Sequence, residues 1–332
     1  MGRHHAHNLA GRVPSAELVR VADAAQDIAR RTGEEVGVDW STDFDDLCGD
    51  PDIEGVVIAT PTPLHADMIE QAARAGKHVF CEKPIAFDAD RTLHAVDAAH
   101  DAGVKLQIGF HRRFDPDWAA ARSRIEDGQL GDVYLFRTSL RDMQPPGVEY
   151  IKSSGGFFVD VTIHDLDTAR WLVGEIEQVA AFGAALSDPS FAEVGDIDNA
   201  VVVLRFVGGG LGVIDNSRVA GYGYECSTEV MGSRATVRIG DHRRRQLRWL
   251  TAGECTVDHV SDFMERYPQA YRDELEDFAA AVRDDREVRV TGDDGLAALR
   301  LCQAAQRSWE LGRPVALSHT LVDGRPRYEI AG

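Results

Sequence analysis

The run Gly155-Gly156-Phe157-Phe158-Val159-Asp160-Val161-Thr162-Ile163-His164-Asp165-Leu166-Asp167 sets an imidazole among carboxylates. If it winds as a helix, Asp160, His164 and Asp167 stand at i, i+4 and i+7 and share one face. Val161, Ile163, Leu166 and Leu172 supply core-facing surface beside them, so the polar stripe is expected to look into a cleft. An imidazole near a fixed carboxylate suits proton transfer close to neutral pH. A lone His and Asp on a helix are more often a solvated pair or a cap, and it is a second feature that turns the reading toward catalysis. His78-Val79-Phe80-Cys81 reads as a short buried strand that runs into Glu82-Lys83-Pro84. In open parallel sheets ligands sit beyond the carboxyl ends of strands, which is where Lys83 would be held.

With 332 residues, 44% of them hydrophobic, the chain can fill two ordinary domains, each with its own core. A formal charge of −19 disfavours nucleic acid or an anionic membrane surface as partner, because binding phosphate needs a basic face. Arg243, Arg244 and Arg245 form the one dense basic run and read as a solvated strand end. No apolar stretch approaches the roughly 18 residues that a membrane span needs. The start, with His4, His5 and His7, has neither the charged nor the apolar region of a secretory signal, so the cytoplasm is the expected compartment. Cys48, Cys81, Cys226, Cys255 and Cys302 are odd in number and hold no Cys-x-x-Cys pair, which argues against a disulfide framework or a zinc site.

From about residue 16 to 110, strand-like runs alternate with helical patterns, the signature of βαβ units and a parallel sheet. Strands are expected over residues 18–22, 36–38, 55–59, 78–81 and 104–109. Helices are expected over 64–75, stopped by Gly76, and after the capping Asp88 as far as Gly103. Asp115 as cap, Pro116 at the first helical position and Gly128 past the end delimit one more helix. Beyond it the strand-like segments lengthen and alternate, over 133–140, 179–185, 201–207, 211–216, 225–231 and 235–239, which predicts a largely antiparallel sheet. Helical patterns at 271–282 and 295–311 are expected to pack back on the first domain. The division expected is 1–112 for a doubly wound, Rossmann-like α/β domain and 113–332 for an α+β domain.

A dinucleotide-binding fold opens with a central strand and Gly-x-Gly-x-x-Gly, whose glycines let a pyrophosphate approach a helix N-terminus. Here Met1-Gly2-Arg3-His4-His5 reads as the tail of that fingerprint, with Gly2 as its last glycine. Asp23 closes the next strand about 20 residues on, where an acidic side chain would bind the ribose hydroxyls of NAD. The missing strand would lie between the strands that end at Asp23 and Ala59. The chain as written is therefore expected to start late, the natural product carrying about ten more residues upstream, enough for one strand and a glycine loop.

With these residues in view, the chain resembles the Gfo/Idh/MocA oxidoreductase superfamily over nearly its whole length. The resemblance rests on Ala59-Thr60-Pro61 with His65, on Glu82-Lys83-Pro84, and on Gly155-Gly156 leading to Asp160 and His164. Four longer runs are similar to its inositol-oxidising subgroup: Gly109-Phe110-His111-Arg112-Arg113-Phe114-Asp115, Glu149-Tyr150-Ile151-Lys152, Thr162-Ile163-His164-Asp165 and Asp215-Asn216-Ser217-Arg218. The resemblance implies NAD-dependent oxidation of a ring hydroxyl to a ketone, myo-inositol to 2-keto-myo-inositol, by a homotetramer that needs no metal. It implies His164 as general base, Lys83 as the group holding the reacting oxygen, and Asp160 as the carboxylate that binds a substrate hydroxyl and orients the imidazole. Gly2, Asp23, Thr60, Pro61, His65, Glu82, Lys83 and Arg112 would serve the cofactor. Arg112, Asp142 and Tyr224 would join Lys83, Asp160 and His164 at the polyol. Two other readings stand beside it: a dehydrogenase of scyllo-inositol, chiro-inositol or an aldose, and a non-catalytic sugar or nucleotide sensor on the same fold. Asp23 favours NAD over NADP, since a carboxylate repels the extra phosphate.

Overall fold

Short runs of three or four residues make the strands of the amino-terminal half, the apolar ones being those of Gly55–Ile58 and His78–Cys81. A computed structural model describes residues 1–240, 243–322 and 324–331; Asp241, beside the arginine run, lies outside the described residues. The chain forms two compact units, Met1–Asp115 with Gln269–Leu296, and Pro116–Pro268 with Ala297–Gly332.

In the first unit, β1 (Arg20–Ala22) and β2 (Asp39–Ser41) pair in parallel. So do β3 (Gly55–Ile58), β4 (His78–Cys81) and β5 (Leu106–Ile108), with Val57 opposite Phe80 and Phe80 opposite Gln107. Among the described residues no strand pairing joins the two groups. No described strand occupies the position expected between the strands ending at Asp23 and Ala59, so the parallel sheet is in two pieces. The strand expected at 36–38 begins later: helix Gln26–Val36 takes Val36 into its last turn, and Gly37, at φ 77°, closes it in the left-handed conformation. Three apolar-flanked residues carry too little period to separate the end of a helix from the start of a strand.

Helices His65–Arg74 and Ala89–Asp101 follow the expected pattern, and the Asp88 side chain accepts a hydrogen bond from the Arg91 backbone N–H at 2.8 Å, as an N-cap should. Helix Ala270–Arg283 belongs to this unit. Its Leu275, Phe278 and Ala281 close a core around Phe80, which has no solvent exposure.

The second unit is built on β6 (Val133–Arg141), β7 (Ile176–Ala184), β8 (Asn199–Phe206), β9 (Leu211–Ser217), β10 (Glu225–Gly232) and β11 (Thr236–Ile239). A separate hairpin is formed by β12 (Arg243–Leu250) and β13 (Cys255–His259), and β14 (Val315–Val322) with β15 (Arg325–Ile330) ends the chain. The large sheet runs β11-β10-β6-β9-β8-β7-β14-β15, antiparallel throughout except for the parallel pair β6 and β9. Alternation sorts its two faces. Phe136, Thr138, Val202, Leu204, Ile214 and Val230 are buried on one. Leu135, Val213, Val203, Val201 and Phe182, matched across β6, β9, β8 and β7, lie on the other. On that second face Phe182 is 67% exposed and Val201 43%.

Candidate active site

In the first unit the expected cofactor residues gather at the carboxyl ends of parallel strands. Thr60 and Pro61 follow β3, and Glu82 and Lys83 follow β4. The buried His65 joins these two loops: its Nδ1 faces the carbonyl of Pro84 at 2.8 Å and its Nε2 the carbonyl of Thr60 at 2.7 Å. Lys83 is half-buried and precedes a cis peptide bond to Pro84. Asp23 follows β1, exposed, with one carboxylate oxygen accepting from the Ala25 N–H at 2.8 Å. Gly2 opens helix Gly2–Leu9. Arg112 lies in the one-turn 3₁₀-helix His111–Phe114, almost wholly buried, beside a stack of His111 on Tyr271. A carboxylate at the end of β1 and loops at the ends of β3 and β4 fit a dinucleotide, whose ribose needs an acceptor and whose nicotinamide needs a floor beyond the strands.

Beneath Lys83 lies a polar core that sequence reasoning missed. The buried His5 Nε2 meets Glu82 Oε1 at 2.7 Å, and Glu274, with no exposure at all, brings a carboxyl group within 4.8 Å of both. Burial works against a charge on Glu82, yet the His5 hydrogen bond and the neighbouring Lys83 cation hold its carboxyl below the usual range. Glu274 has no such support. Burial, and then the Glu82 charge, push its carboxyl well above the usual range, so it is the neutral acid of the pair. Glu274 sits at an ordinary-looking position of the helical pattern expected at 271–282, and no local pattern marks it.

In the second unit, Gly155 and Gly156, at φ 84° and 87°, make a turn that residues with a Cβ adopt poorly. The chain then enters one turn of π-helix, Phe158–Thr162, that continues into α-helix Ile163–Val173. This corrects the expectation of one regular face: the wider turn sets Asp160 and His164 half-buried while Asp167 is only 1% exposed. Asp160 is gripped from two sides. Tyr150 donates its hydroxyl to Oδ1 at 2.9 Å, and Arg218 donates from Nη1 to Oδ2 at 2.8 Å. Burial and then the Asp160 charge push the Tyr150 phenol well above its usual range, so it remains a donor.

The next residue but three from His164, Thr168, ties back to its carbonyl at 2.7 Å. Asp165 fastens the helix to the sheet, accepting from Thr138 Oγ1 at 3.1 Å and Asn216 Nδ2 at 2.8 Å. Asp142 follows β6, its backbone bonded to Ser217 and Ala220, which places it beside the segment that carries Arg218. Tyr224 is buried, its ring edge-on to Tyr267. Thus Asp160 is found with Arg218 and Tyr150, two residues present in the quoted motifs but given no role by sequence reasoning.

The neutral state of Glu274 has a measurable consequence. The unfolded carboxyl ionises above pH about 4.3 while the folded one stays protonated, so the folded state binds the extra proton and loses stability as pH rises. Glu274→Gln removes that loss. The variant is expected to melt higher than the parent at pH 8, with the gap closing toward pH 4, in thermal unfolding followed by circular dichroism. A gap that does not depend on pH would show that Glu274 is ionised in the folded protein.

Comparison with known proteins shows the family. Residues 1–110 match the oxidoreductase family's NAD-binding Rossmann fold and residues 122–317 its C-terminal alpha/beta domain. The chain is similar to an inositol 2-dehydrogenase of Rhizobium meliloti, 42% identical over 320 residues that cover 96% of both chains. It is similar in structure to a myo-inositol dehydrogenase from Corynebacterium glutamicum, at TM-score 0.91 and 37% identity over 96% of both chains. A scyllo-inositol dehydrogenase from Lactobacillus casei, solved with NAD(H) and scyllo-inositol, superposes at TM-score 0.88 with 29% identity over 95% of both. With both parts of the chain matched, an NAD-binding domain first and the alpha/beta domain after it, this protein belongs to the Gfo/Idh/MocA oxidoreductase family and uses NAD as its cofactor.

Proposed function

We propose that the protein oxidises a ring hydroxyl of inositol to the ketone, converting myo-inositol to 2-keto-myo-inositol. The observation that carries this reading is the presentation of Asp160 and His164 by the π-turn and helix, with Asp160 fixed by Arg218 and Tyr150. The names of the relatives from Rhizobium meliloti and Corynebacterium glutamicum support the substrate class. Bound NAD supplies the hydride acceptor. His164 takes the hydroxyl proton as general base, and Lys83 holds the reacting oxygen and offsets the negative charge that develops there. Asp160 accepts a hydrogen bond from a substrate hydroxyl. Each carboxylate oxygen offers two acceptor directions, so the bonds from Tyr150 and Arg218 leave room for it. Asp142, Tyr224 and Arg112 contribute to holding the polyol. On the cofactor side, Asp23 receives the ribose hydroxyls, Gly2 lets the pyrophosphate approach, and Thr60, Pro61 and Glu82 line the floor, with His65 fixing the two loops it bridges. The Lactobacillus casei relative favours scyllo-inositol as a second substrate to compare.

The open face of the large sheet supports association of identical chains. Leu135, Val213, Val203, Val201 and Phe182 form an apolar band across four strands, which another copy could cover through a self-complementary contact. We take the assembly to be a homotetramer.

NADH formation from NAD and myo-inositol is the direct check, with scyllo-inositol and an aldose as comparisons. His164→Asn is expected to lower kcat by about 10²–10⁴-fold and to leave the KM for NAD unchanged. No NADH from any inositol, by a protein that binds NAD, would overturn the substrate assignment. Light scattering should give the mass of four chains, and Val203→Glu, which sets a charge in the middle of the open face, should reduce it. A monomeric parent protein would refute the association.

A further inference from the structure

Among the described residues Arg218 is the most deeply buried cation of the second unit's polar network, 2% exposed, and the chemistry above gives it no contact with substrate or cofactor. A guanidinium taken out of water costs several kcal/mol unless it is matched by counter-charge. Its counter-charges are Asp160, at 2.8 Å from Nη1, and Asp196, whose Oδ2 is 3.8 Å from Nη2. The guanidinium carbon also lies 5.4 Å over the ring of Phe157, on the negative face of the π-system. Asp196 is itself fixed, since its Oδ1 accepts from the Phe157 N–H at 2.9 Å. The Arg218 backbone N–H donates to the Asp198 carbonyl at 2.9 Å. Arg218 thus meets the entrance to the π-turn at three points: the Asp160 carboxylate, the Phe157 ring and the Asp196 side chain that pins Phe157.

We propose that Arg218 and Tyr150 are positioning residues for the reaction, acting through Asp160: Arg218 holds one carboxyl oxygen and Tyr150 the other, and the two donors together fix its plane. The consequence is a division of labour. An Asp160 whose two oxygens face a buried cation and a phenol donor is a hydrogen-bond acceptor of fixed direction, with both oxygens already engaged, which leaves the substrate proton to His164. The dependence of each residue on the others also explains why Arg218 follows β9 directly. The strand ends at Ser217, and an arginine one residue later is delivered from a rigid element to the start of the catalytic helix.

This inference rests on Asp160 serving the dehydrogenase reaction, and the test separates the two. Four single variants are compared with the parent enzyme: Asp160→Asn, Arg218→Met, Arg218→Lys and Tyr150→Phe. Arg218→Met and Tyr150→Phe are each combined with Asp160→Asn. All are assayed for kcat and KM with myo-inositol and NAD, and for NAD binding. Arg218→Met is expected to lower kcat by about 100-fold, the cost of a misplaced catalytic group, with the KM for NAD unchanged. Arg218→Lys should recover part of that loss, because it returns the charge without the fork. Tyr150→Phe, at a half-exposed site that will not endanger folding, should lower kcat by about 10-fold. In the Asp160→Asn background neither substitution should lower kcat further, since both act through the carboxylate already removed. If Asp160→Asn is impaired but Tyr150→Phe keeps full kcat, or if the losses multiply in the double variants, the positioning role is overturned and the catalytic reading stands. If Asp160→Asn keeps full kcat, both fall together.

Discussion

A guanidinium that the fold buries almost completely has to be answered by a negative charge, and in this protein much of the second unit's site is the answer to Arg218. Breaking a buried pair by removing one partner costs about 3–5 kcal/mol, because the other charge is left without solvent or partner. Asp160 therefore has little freedom of position. The glycine pair at Gly155 and Gly156 turns the chain, the π-turn spaces Asp160 from His164, and Asp196 pins Phe157 under the guanidinium. A second buried carboxylate, Asp165, fastens the same helix to β6 and β9 through Thr138 and Asn216. Helix Ile163–Val173 is thus attached to the sheet by polar contacts of fixed direction, where apolar packing alone would permit it to slide.

The first unit meets the same constraint with a different outcome. Glu82 is buried and charged because His5 and Lys83 stand beside it, while Glu274, near the same pair but without a cation of its own, is kept neutral. Two carboxyl groups in one apolar setting cannot both ionise, and their surroundings decide which does. The turn that carries Lys83 is thereby held from behind by the His5 bond to Glu82 and from the side by His65, which bridges Thr60 and Pro84. Lys83 is presented from a loop, yet the loop has the rigidity of the elements around it.

Much of this was legible in the chain. Short apolar runs gave the parallel strands near Gly55–Ile58 and His78–Cys81, and the turn residues Gly76 and Asp88 marked helix ends where they occur. The two-residue period of the long strands announced a sheet with one covered face. What stayed hidden has physical reasons. The boundary at Val36 failed because three residues cannot show a period, and a left-handed Gly37 decided it. The π-turn leaves no mark on composition, since it differs from an α-turn by one residue of winding. Strands β14 and β15, rich in polar and charged residues such as His319, Arg325 and Arg327, lacked the clean alternation that the earlier strands have. Arg218 and Glu274 became meaningful only through partners 58 residues away in one case and far along the chain in the other, a distance that local pattern does not reach.

The central claim is that a hydrogen leaves the inositol ring carbon as hydride while the hydroxyl proton leaves separately to His164. It is tested most directly with myo-inositol carrying deuterium on the carbon that bears the reacting hydroxyl, followed by mass spectrometry of the reduced nicotinamide. The account predicts NADH that carries one deuterium, with none released to water. Unlabelled NADH, or deuterium appearing in solvent, would contradict it.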